Sequence, residues 1–387
     1  MHTPVYLDNH ATTPVDPRVL EAMLPCFSGV FGNPSSRVHE FGWRAAEAVE
    51  TARAQVARLI GAAPDEIIFT SGATESNNLA IKGVYEAAAK HGNHIITCAT
   101  EHAAVLDVCR SLEKRGALVT ILPVDSGGLL DPGRVADAIT DHTVLISVMT
   151  ANNEIGVIQP IEDIARVAAY KDIPFHTDAA QACGKAPFNV RAAGVHLVSF
   201  TAHKLYGPKG VGALCIRRRP PRVRLAAQIH GGGQERGWRS GTLNVPGIVG
   251  FGKACELMLD EMPAESLRLR VMRDRLLTLL RESIDGVDVN GALEPRLPHN
   301  LNVSFKRVEG ESLIMRLRDV AVSSGSACAS ASVSPSHVLH ALGLTPDRAH
   351  SSLRIGLGRF NTNREIDYAA GRIIEEVKHL REISPTS

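Results

Sequence analysis

The sequence has almost no net charge and no long apolar run. Its 387 residues carry 42 lysines and arginines against 41 aspartates and glutamates, which gives a formal charge of +1. This balance offers no electrostatic reason to expect a nucleic acid as a partner. No apolar run approaches the roughly 20 residues that span a bilayer, and the opening MHTPVYLDNHATT lacks the basic and apolar regions of a signal peptide. We therefore predict a cytoplasmic protein without nucleic-acid or membrane partners.

The sequence also lacks paired cysteines. It has seven, an odd number, and none forms a CxxC pair. This pattern argues against a disulfide framework, a structural zinc site and a cysteine-ligated cluster held by this chain alone. Five cysteines lie in apolar or helix-like surroundings and are predicted to be core residues, whereas Cys26, beside a proline, is left unassigned. Cys328 stands apart, because its surroundings SSGSACASASVSPS are small and polar and favour an accessible loop.

Between residues 66 and 200, short apolar segments alternate with segments whose apolar residues recur at helical spacing. This alternation is typical of βαβ units, in which helices cover both faces of a mostly parallel sheet. We therefore predict the α/β class. The predicted strands are 66–70, 94–98, 118–124, 143–149, 174–178 and 195–200, and the predicted helices around them are 42–60, 75–89, 103–114, 132–139 and 161–170.

The length of the chain is sufficient for about two or three domains. From about residue 250 the pattern changes to long charged helices around one strand-like segment, 300–305. We predict a large α/β domain over residues 16–249. A smaller α+β domain would combine an N-terminal arm, 1–15, with residues 250–387, which include the Cys328 loop.

Polar residues follow five of the predicted strands. Ligands of an open parallel sheet bind outside the carboxyl ends of its strands, so these residues are the first candidates for a site. The first strand is followed by SGATESNN, a glycine-containing turn that suits a phosphate as well as it suits a plain helix cap. Each of the others also has a structural explanation when taken alone. They are Glu101, His102, Asn152, Asn153, Glu154, Asp178, Gln181, Thr201, His203 and Lys204.

Lys204 lies at the end of a predicted strand, and a lone lysine there is more often a surface residue. Two other features change this interpretation. Asp178 precedes Lys204 by 26 residues (204 − 178), and a candidate phosphate-binding turn lies at the same edge of the predicted sheet. Pyridoxal phosphate requires a lysine for a Schiff base, a carboxylate for its ring nitrogen and donors for its phosphate. A nicotinamide site would require GxGxxG between a strand and a helix, and the glycine runs at 231–237 and 356–360 do not follow that order.

With these residues in view, the sequence resembles the pyridoxal-phosphate-dependent cysteine desulfurases of the IscS/NifS-like branch, within the fold-type-I, class-V aminotransferase superfamily. The resemblance implies a seven-stranded, mostly parallel sheet with helices on both faces, and a smaller α+β domain. The motifs that carry it are YLDNHATTP (6–14), FGNPSS (31–36), TSGATESNN (70–78), TEHAAVL (100–106), NNEIG (152–156), HTDAAQ (176–181), AHKLYGPKG (202–210), GGGQERGWRSGT (231–242) and SSGSACAS (323–330).

The resemblance implies a role for each matching cofactor residue. Lys204 would form the Schiff base with pyridoxal 5'-phosphate, Asp178 would pair with the ring nitrogen, Gln181 would bond the phenolic oxygen, and His102 would stack on the ring. The phosphate would be held by one subunit's Ala73 N–H, Thr74, Thr201 and His203, together with Thr242 of a second subunit, which implies a homodimer.

The resemblance also implies the residues that handle the substrate. Asn153 would lie beside the ring and the substrate, and Arg354 would bind the carboxylate of L-cysteine with its bidentate fork. Cys328 would be the nucleophile, and His102 would assist proton transfer. The expected products are L-alanine and a Cys328 persulfide, which would pass sulfur to an acceptor such as an iron–sulfur scaffold. The chain would hold no metal alone, although Cys328 could contribute to a cluster shared with a scaffold.

Two departures from the family pattern affect these expectations. Thr201 stands where many relatives have a serine, and either hydroxyl can donate to phosphate. The sequence stops at ISPTS, where the IscS type continues in a tail that helps to dock the scaffold. We therefore expect docking through such a tail to be weaker, or a different sulfur acceptor.

Three other functions remain as alternatives. The nearest is a selenocysteine lyase, whereas a plain aminotransferase has no need of the loop around Cys328. A non-catalytic sulfur carrier or interaction subunit would not need Lys204, Asp178 and Cys328 together.

Overall fold

The computed structural model of the chain describes residues 4–218, 222–324 and 336–383. The strands within these residues are β1 Val5–Tyr6, β2 Ile67–Thr70, β3 His94–Cys98, β4 Leu118–Leu122, β5 Thr143–Ser147, β6 Phe175–Asp178, β7 Leu197–Thr201, β8 Gly212–Ile216, β9 Val287–Val289, β10 Asn300–Phe305, β11 Val320–Ala321 and β12 Ser352–Gly356. The helices are α1 Pro17–Met23, α2 Pro25–Ser28, α3 Glu40–Ile60, α4 Ala73–Ala87, α5 Ala103–Glu113, α6 Pro132–Ala138, α7 Ile161–Tyr170, α8 Val245–Ser283, α9 Gly310–Arg316, α10 His337–Ala341, α11 Pro346–His350 and α12 Asn363–Ile383.

A seven-stranded sheet forms the centre of the molecule, in the order β2-β8-β7-β6-β5-β3-β4. Strands β4, β3, β5, β6 and β7 are parallel to one another, and β8 is antiparallel to both β2 and β7. The α/β prediction is therefore confirmed, including the number of strands. The six strands predicted from residues 66 to 200 all belong to this sheet.

Helices cover both faces of this sheet because successive side chains of a strand point to opposite faces. Phe69, Ile96 and Phe200 pack into one hydrophobic cluster with residues of α3, α7 and α8. Their neighbours Ile68 and Ile95 pack into a second cluster with residues of α4 and α5. Strands that are apolar on both faces therefore suit this buried position, as expected for a mainly parallel sheet.

A second, antiparallel sheet has the order β12-β10-β9 and packs in a separate hydrophobic cluster with α8 and α12. The N-terminal segment joins this part of the chain, since β1 pairs with β11 and Asp8 bridges to Gly356. The predicted domain boundary between residues 249 and 250 falls inside α8, and the division into two domains stays a prediction.

Cys328 lies outside the residues that the structure describes. The described residues on either side of that gap are Ser324 and Ser336. Among the described helices, none combines the length and the apolar character needed to cross a membrane.

Candidate active site

The carboxyl ends of the parallel strands open into a cavity of about 480 Å³. Strand direction alone brings these ends to one edge of the sheet, and the residues after them are therefore close in space. The cavity contains nine of the twelve residues predicted for the site. They are Ala73, Thr74, His102, Asn153, Asp178, Gln181, Thr201, His203 and Lys204.

One end of the cavity is suited to an anion. Helix α4 begins at Ala73, and the first N–H groups of a helix have no acceptor within the helix. The hydroxyl of Thr201 lies near this turn, 3.8 Å from where a Cβ on Gly72 would stand. The backbone around the turn is tight, because a Cβ on Gly212 would lie 2.6 Å from the Cα of Gly72. Backbone donors, hydroxyls and Lys209 thus surround a space that side chains do not fill.

Asp178 ends β6 and is 5% exposed. Its Oδ2 accepts a hydrogen bond of 2.7 Å from Nδ2 of Asn77, and its Oδ1 accepts one of 2.9 Å from the N–H of Ala180. These two donors hold the carboxylate in one orientation at the cavity wall. A carboxylate so fixed can hold a proton on a ring nitrogen.

Lys204 lies in a short 3-10 turn, Ala202–Lys204, that follows β7. Thr13 secures this turn, since its Oγ1 donates to the carbonyl of His203 at 2.8 Å and accepts from the N–H of Tyr206 at 2.9 Å. Burial, and then the nearby Lys204 and Lys209 amines, lower the pKa of His203 to about 4. The His203 imidazole is therefore neutral at pH 7, and its Nδ1 lies 3.1 Å from Oγ1 of Thr12.

His102 caps the N-terminus of α5, where its Nδ1 accepts from the N–H of Ala104 at 3.1 Å. Burial lowers the pKa of His102, with the amine of Lys204 acting in the same direction and Asp178 against it. The neutral ring therefore carries its proton on Nε2. In this state His102 is a hydrogen-bond donor in the cavity, and it becomes a proton acceptor only by giving up its capping bond.

Arg354 is 3% exposed and does not line the cavity. Its Nη1 donates to the carbonyl of Asn153 at 3.1 Å and its Nη2 to Oδ1 of Asp8 at 2.9 Å. Within the part of the chain that the structure describes, its buried Nε has no hydrogen-bond partner. Arg354 thus lies one residue behind the cavity wall, and its binding of a substrate carboxylate stays a prediction.

Two predicted residues remain, Thr242 and Cys328. Thr242 is exposed on the loop before α8 and does not line the cavity. Cys328 is among the residues 325–335 that the structure does not describe.

Three further residues, none with a role assigned in the sequence analysis, contribute to the site. Asn77 orients Asp178, and His10 contacts Gln181 through its ring and its carbonyl. Glu101 is completely buried, and burial followed by the charge of Asp178 raises the pKa of this carboxyl well above its usual range. Asn77 and His10 belong to motifs that the family resemblance covers, but only a contact between distant parts of the chain shows what they do.

The donor set fits pyridoxal phosphate. An anion-binding helix N-terminus, a fixed carboxylate and a lysine lie around a single cavity, as this cofactor requires. The described residues include no cluster of three or more His, Cys, Asp or Glu side chains that could hold a metal ion.

Comparisons with known proteins agree with this geometry. The family model "Aminotransferase class-V" matches residues 5–369. The chain is 57% identical over 385 residues to "Cysteine desulfurase IscS" of Anaeromyxobacter sp. (strain Fw109-5), covering 100% of this chain and 95% of that protein. It is 56% identical over 387 residues to the protein of the same description from Photobacterium profundum, with the same coverage.

Solved structures show the same fold. A "NIFS-LIKE PROTEIN" superposes with a TM-score of 0.90 at 40% identity and covers 97% of this chain and 99% of its own. A structure described as "SspA in complex with cysteine" has a TM-score of 0.82 at 39% identity, covering 92% of this chain and 100% of its own.

Proposed function

The chain belongs to the class-V aminotransferase family and is a pyridoxal-phosphate-dependent cysteine desulfurase, and from this premise we propose how its residues divide the work. The observation that carries the assignment is the single cavity in which Lys204, Asp178 and the N-terminus of α4 meet. Each of these groups suits one part of the cofactor.

We propose that Lys204 holds the cofactor covalently and that Asp178 keeps a proton on its ring nitrogen. Ala73 N–H, Thr74 and Thr201 bind the phosphate, with His203 beside them as a neutral imidazole. When bound, the cofactor supplies an electron sink for the α-carbon of the substrate. Asn77 acts through Asp178, because it fixes the carboxylate that faces the ring.

Substrate binding and proton movement fall to other residues. We propose that Asn153 lies beside the substrate and that Arg354 binds its carboxylate, for which Arg354 would exchange its bond with Asp8. His102 stacks on the ring and, as the Nε2–H tautomer, holds a proton for transfer in the cavity.

Cys328 is the proposed nucleophile that takes sulfur from the substrate. Its thiolate forms a bond to the sulfur of the bound substrate while the carbon–sulfur bond breaks. The electron pair stays with the substrate carbon, and a proton converts that carbon to the methyl group of L-alanine. The Cys328 sulfur is thereby left as a persulfide, from which a sulfur-acceptor protein such as an iron–sulfur scaffold can be supplied.

One experiment tests this proposal as a whole. The purified protein with pyridoxal phosphate is given L-cysteine, and alanine, sulfide and a persulfide on the Cys328 peptide are measured together. Cys328→Ala should abolish sulfur release while the coloured cofactor stays bound. Cys26→Ala is the matched control, because Cys26 is buried and lies outside the cavity, and it should retain the reaction.

The same variants separate the alternatives. Unchanged sulfide and alanine production by Cys328→Ala would refute the proposed role of Cys328. If this variant also processed L-selenocysteine at the rate of the parent protein, a selenocysteine lyase would be the better assignment.

We further propose a homodimer, whose interface includes Phe27, Phe31, Phe41 and Trp43. All four side chains are more than half exposed, with 63%, 61%, 53% and 57% of their surfaces accessible. An apolar surface of this kind marks an interaction site in a protein of ordinary composition. Pro34, Ser35 and Arg37 of the same stretch line a cavity together with residues 232–236 of the loop that carries Thr242. A partner bound here would therefore bring Thr242 of one subunit towards the other.

Light scattering tests the homodimer. The parent protein should have about twice the chain mass of 41.5 kDa, and Phe31→Glu should lower it towards one chain and weaken cofactor binding at the same time. A monomeric parent protein with full cofactor affinity would refute the proposal.

We also propose a cytoplasmic location, because the six described cysteines are buried thiols without a disulfide.

A further inference from the structure

His10 is 1% exposed and contacts Gln181 of the cavity. Its ring stacks on His299 with centroids 4.5 Å apart and planes at 29°. Gly356 also packs against the ring, because a Cβ added there would lie 2.7 Å from Cδ2 of His10. The ring is therefore fixed in place, and both of its nitrogens have partners.

The direction of each hydrogen bond around His10 follows from Arg296. A guanidinium can only donate, and Nη1 of Arg296 lies 3.2 Å from Oδ1 of Asn300, so this oxygen is the acceptor. The amide nitrogen of Asn300 then donates to Nε2 of His10 at 3.0 Å and to the carbonyl of Glu154 at 3.1 Å. Because Nε2 of His10 accepts, the proton of the neutral ring is on Nδ1.

The same logic fixes the amide of Gln181. Nδ1 of His10 donates to Oε1 of Gln181 at 3.0 Å, and Nε2 of Gln181 donates one hydrogen to the carbonyl of His10 at 3.0 Å. Among the described residues, the second hydrogen on this nitrogen has no acceptor, and Gln181 lines the cavity. Burial, and then the nearby charge of Arg354, lower the pKa of His10 to about 3, so the ring is neutral at pH 7.

We propose that the chain of hydrogen bonds from Arg296 through Asn300 and His10 is a positioning device that makes Gln181 present an N–H, and not its oxygen, to the phenolic oxygen of the cofactor. This inference rests on the proposed role of Gln181. It adds that the orientation of that amide is set from the second sheet, since Asn300 begins β10. Without the ring proton on Nδ1, the amide could turn over and present an acceptor to a negatively charged oxygen.

Asn300→Asp tests the proposal, because it keeps the shape of the side chain but offers His10 an acceptor in place of a donor. Asn302→Asp is the matched control: Asn302 lies on the same strand and also donates to the carbonyl of Glu154 at 3.1 Å, but it has no bond to His10. Asn300→Asp should move the ring proton of His10 from Nδ1 to Nε2 in long-range proton–nitrogen spectra of the cofactor-free protein. It should also weaken cofactor binding about fivefold and raise the apparent pKa of the cofactor chromophore by about half a pH unit.

Two variants of His10 keep the test independent of Asn300. His10→Asn places an amide nitrogen where Nδ1 stands and should preserve the chromophore, whereas His10→Gln places it where Nε2 stands and should shift it. A parent-protein ring proton on Nε2, or equal chromophore shifts in Asn300→Asp and Asn302→Asp, would overturn the inference. Gln181→Leu distinguishes the two proposals. If Gln181→Leu leaves the chromophore unchanged, the proposed role of Gln181 itself is wrong. If Gln181→Leu shifts the chromophore but Asn300→Asp does not, the role of Gln181 stands and the positioning device is wrong.

Discussion

The two sheets of this protein use polar side chains in different ways. In the seven-stranded sheet the strands pack mainly apolar side chains on both faces, and the groups of the candidate site come at or after the strand ends. The three-stranded sheet carries polar side chains inside its strands. Nδ2 of Asn290 lies 2.8 Å from Oδ1 of Asn302 and from Oγ of Ser304, and 3.0 Å from Oγ of Ser352.

This difference indicates a division of labour between stability and orientation. Contacts between apolar side chains depend little on orientation. They give the large sheet a rigid edge on which reactive groups can be placed. A buried hydrogen-bond network tolerates few changes because each group needs its partner. The small sheet can therefore determine which way an amide points in the site. Asn300 of this sheet contacts His10, and His10 in turn contacts the amide of Gln181.

The largest effect should come from the edge of the large sheet. Lys204→Arg keeps the charge but cannot hold the cofactor covalently, so we expect turnover to fall by about a thousandfold. Alanine release measures the loss, and mass spectrometry after borohydride reduction should no longer find the cofactor on residue 204. Lys171→Arg, at an exposed position, serves as the control. Full activity of Lys204→Arg would show that the active site is not at this edge of the sheet.

The second effect concerns the packing beneath that edge. Phe200 is fully buried in β7, and its ring meets Phe251 edge-on at 5.5 Å. Phe200→Ala should lower the free energy of unfolding by about 3 to 5 kcal/mol, because the cavity left behind loses its contacts. Urea unfolding measures this, with the 86% exposed Tyr170 mutated to alanine for comparison. A similar small loss in both variants would contradict the view that the large sheet depends on apolar packing.

The third effect belongs to the small sheet. Asn290→Ala removes no large apolar group but leaves Asn302, Ser304 and Ser352 without a shared partner. We expect a loss of about 2 kcal/mol or more in the free energy of unfolding, since buried polar groups without partners are costly. Val303→Ala, on the neighbouring strand, removes apolar contacts alone. If Asn290→Ala were as stable as the parent protein, the polar network would not matter to this sheet.

The effect that is smallest near neutral pH tests an exception within the large sheet. His176 is fully buried in β6 between the hydroxyls of Ser147 and Ser199, and burial lowers its pKa to about 4. The unfolded chain, with a histidine pKa near 6.5, binds this proton more readily, so stability is lost as the pH falls from about 6.5 towards 4. One such histidine contributes about 1.4 kcal/mol per pH unit in that window. His176→Gln should flatten the pH dependence of the unfolding free energy, measured by urea titrations between pH 4 and 6.5, by about this amount, and an unchanged slope would show that His176 is not responsible.

Much of the large sheet could be predicted because its strands are short, apolar and regularly spaced. The strand predicted at 94–98 matches His94–Cys98, and the helix predicted at 161–170 matches Ile161–Tyr170. Beyond about residue 250 the sequence predicts long charged helices without bounds, because Gly250, Gly252 and Pro263 obscure the earlier turns of α8. Gly252 is needed there, since an added Cβ would lie 2.6 Å from the Cα of Ala52 on α3.

The candidate site could be predicted where its residues follow strands, and not where they meet across the chain. Nine of the predicted residues line the cavity, because strand direction gathers them. The bond between Asp8 and Arg354 joins residues 346 positions apart, and that between His10 and Asn300 joins residues 290 apart. Such contacts leave no periodicity in the sequence, so the control of Gln181 by the second sheet emerges only in three dimensions.

Helix α8 has a consequence for how the protein unfolds. Its 39 residues extend about 58 Å at 1.5 Å per residue, and Phe251 in its first half belongs to the core of the large sheet, whereas Leu276 in its second half belongs to the core of the small one. Neither core can lose its share of this helix without loosening the other. We therefore expect a single cooperative calorimetric transition, in which the part that orients the cofactor and the part that carries it melt together.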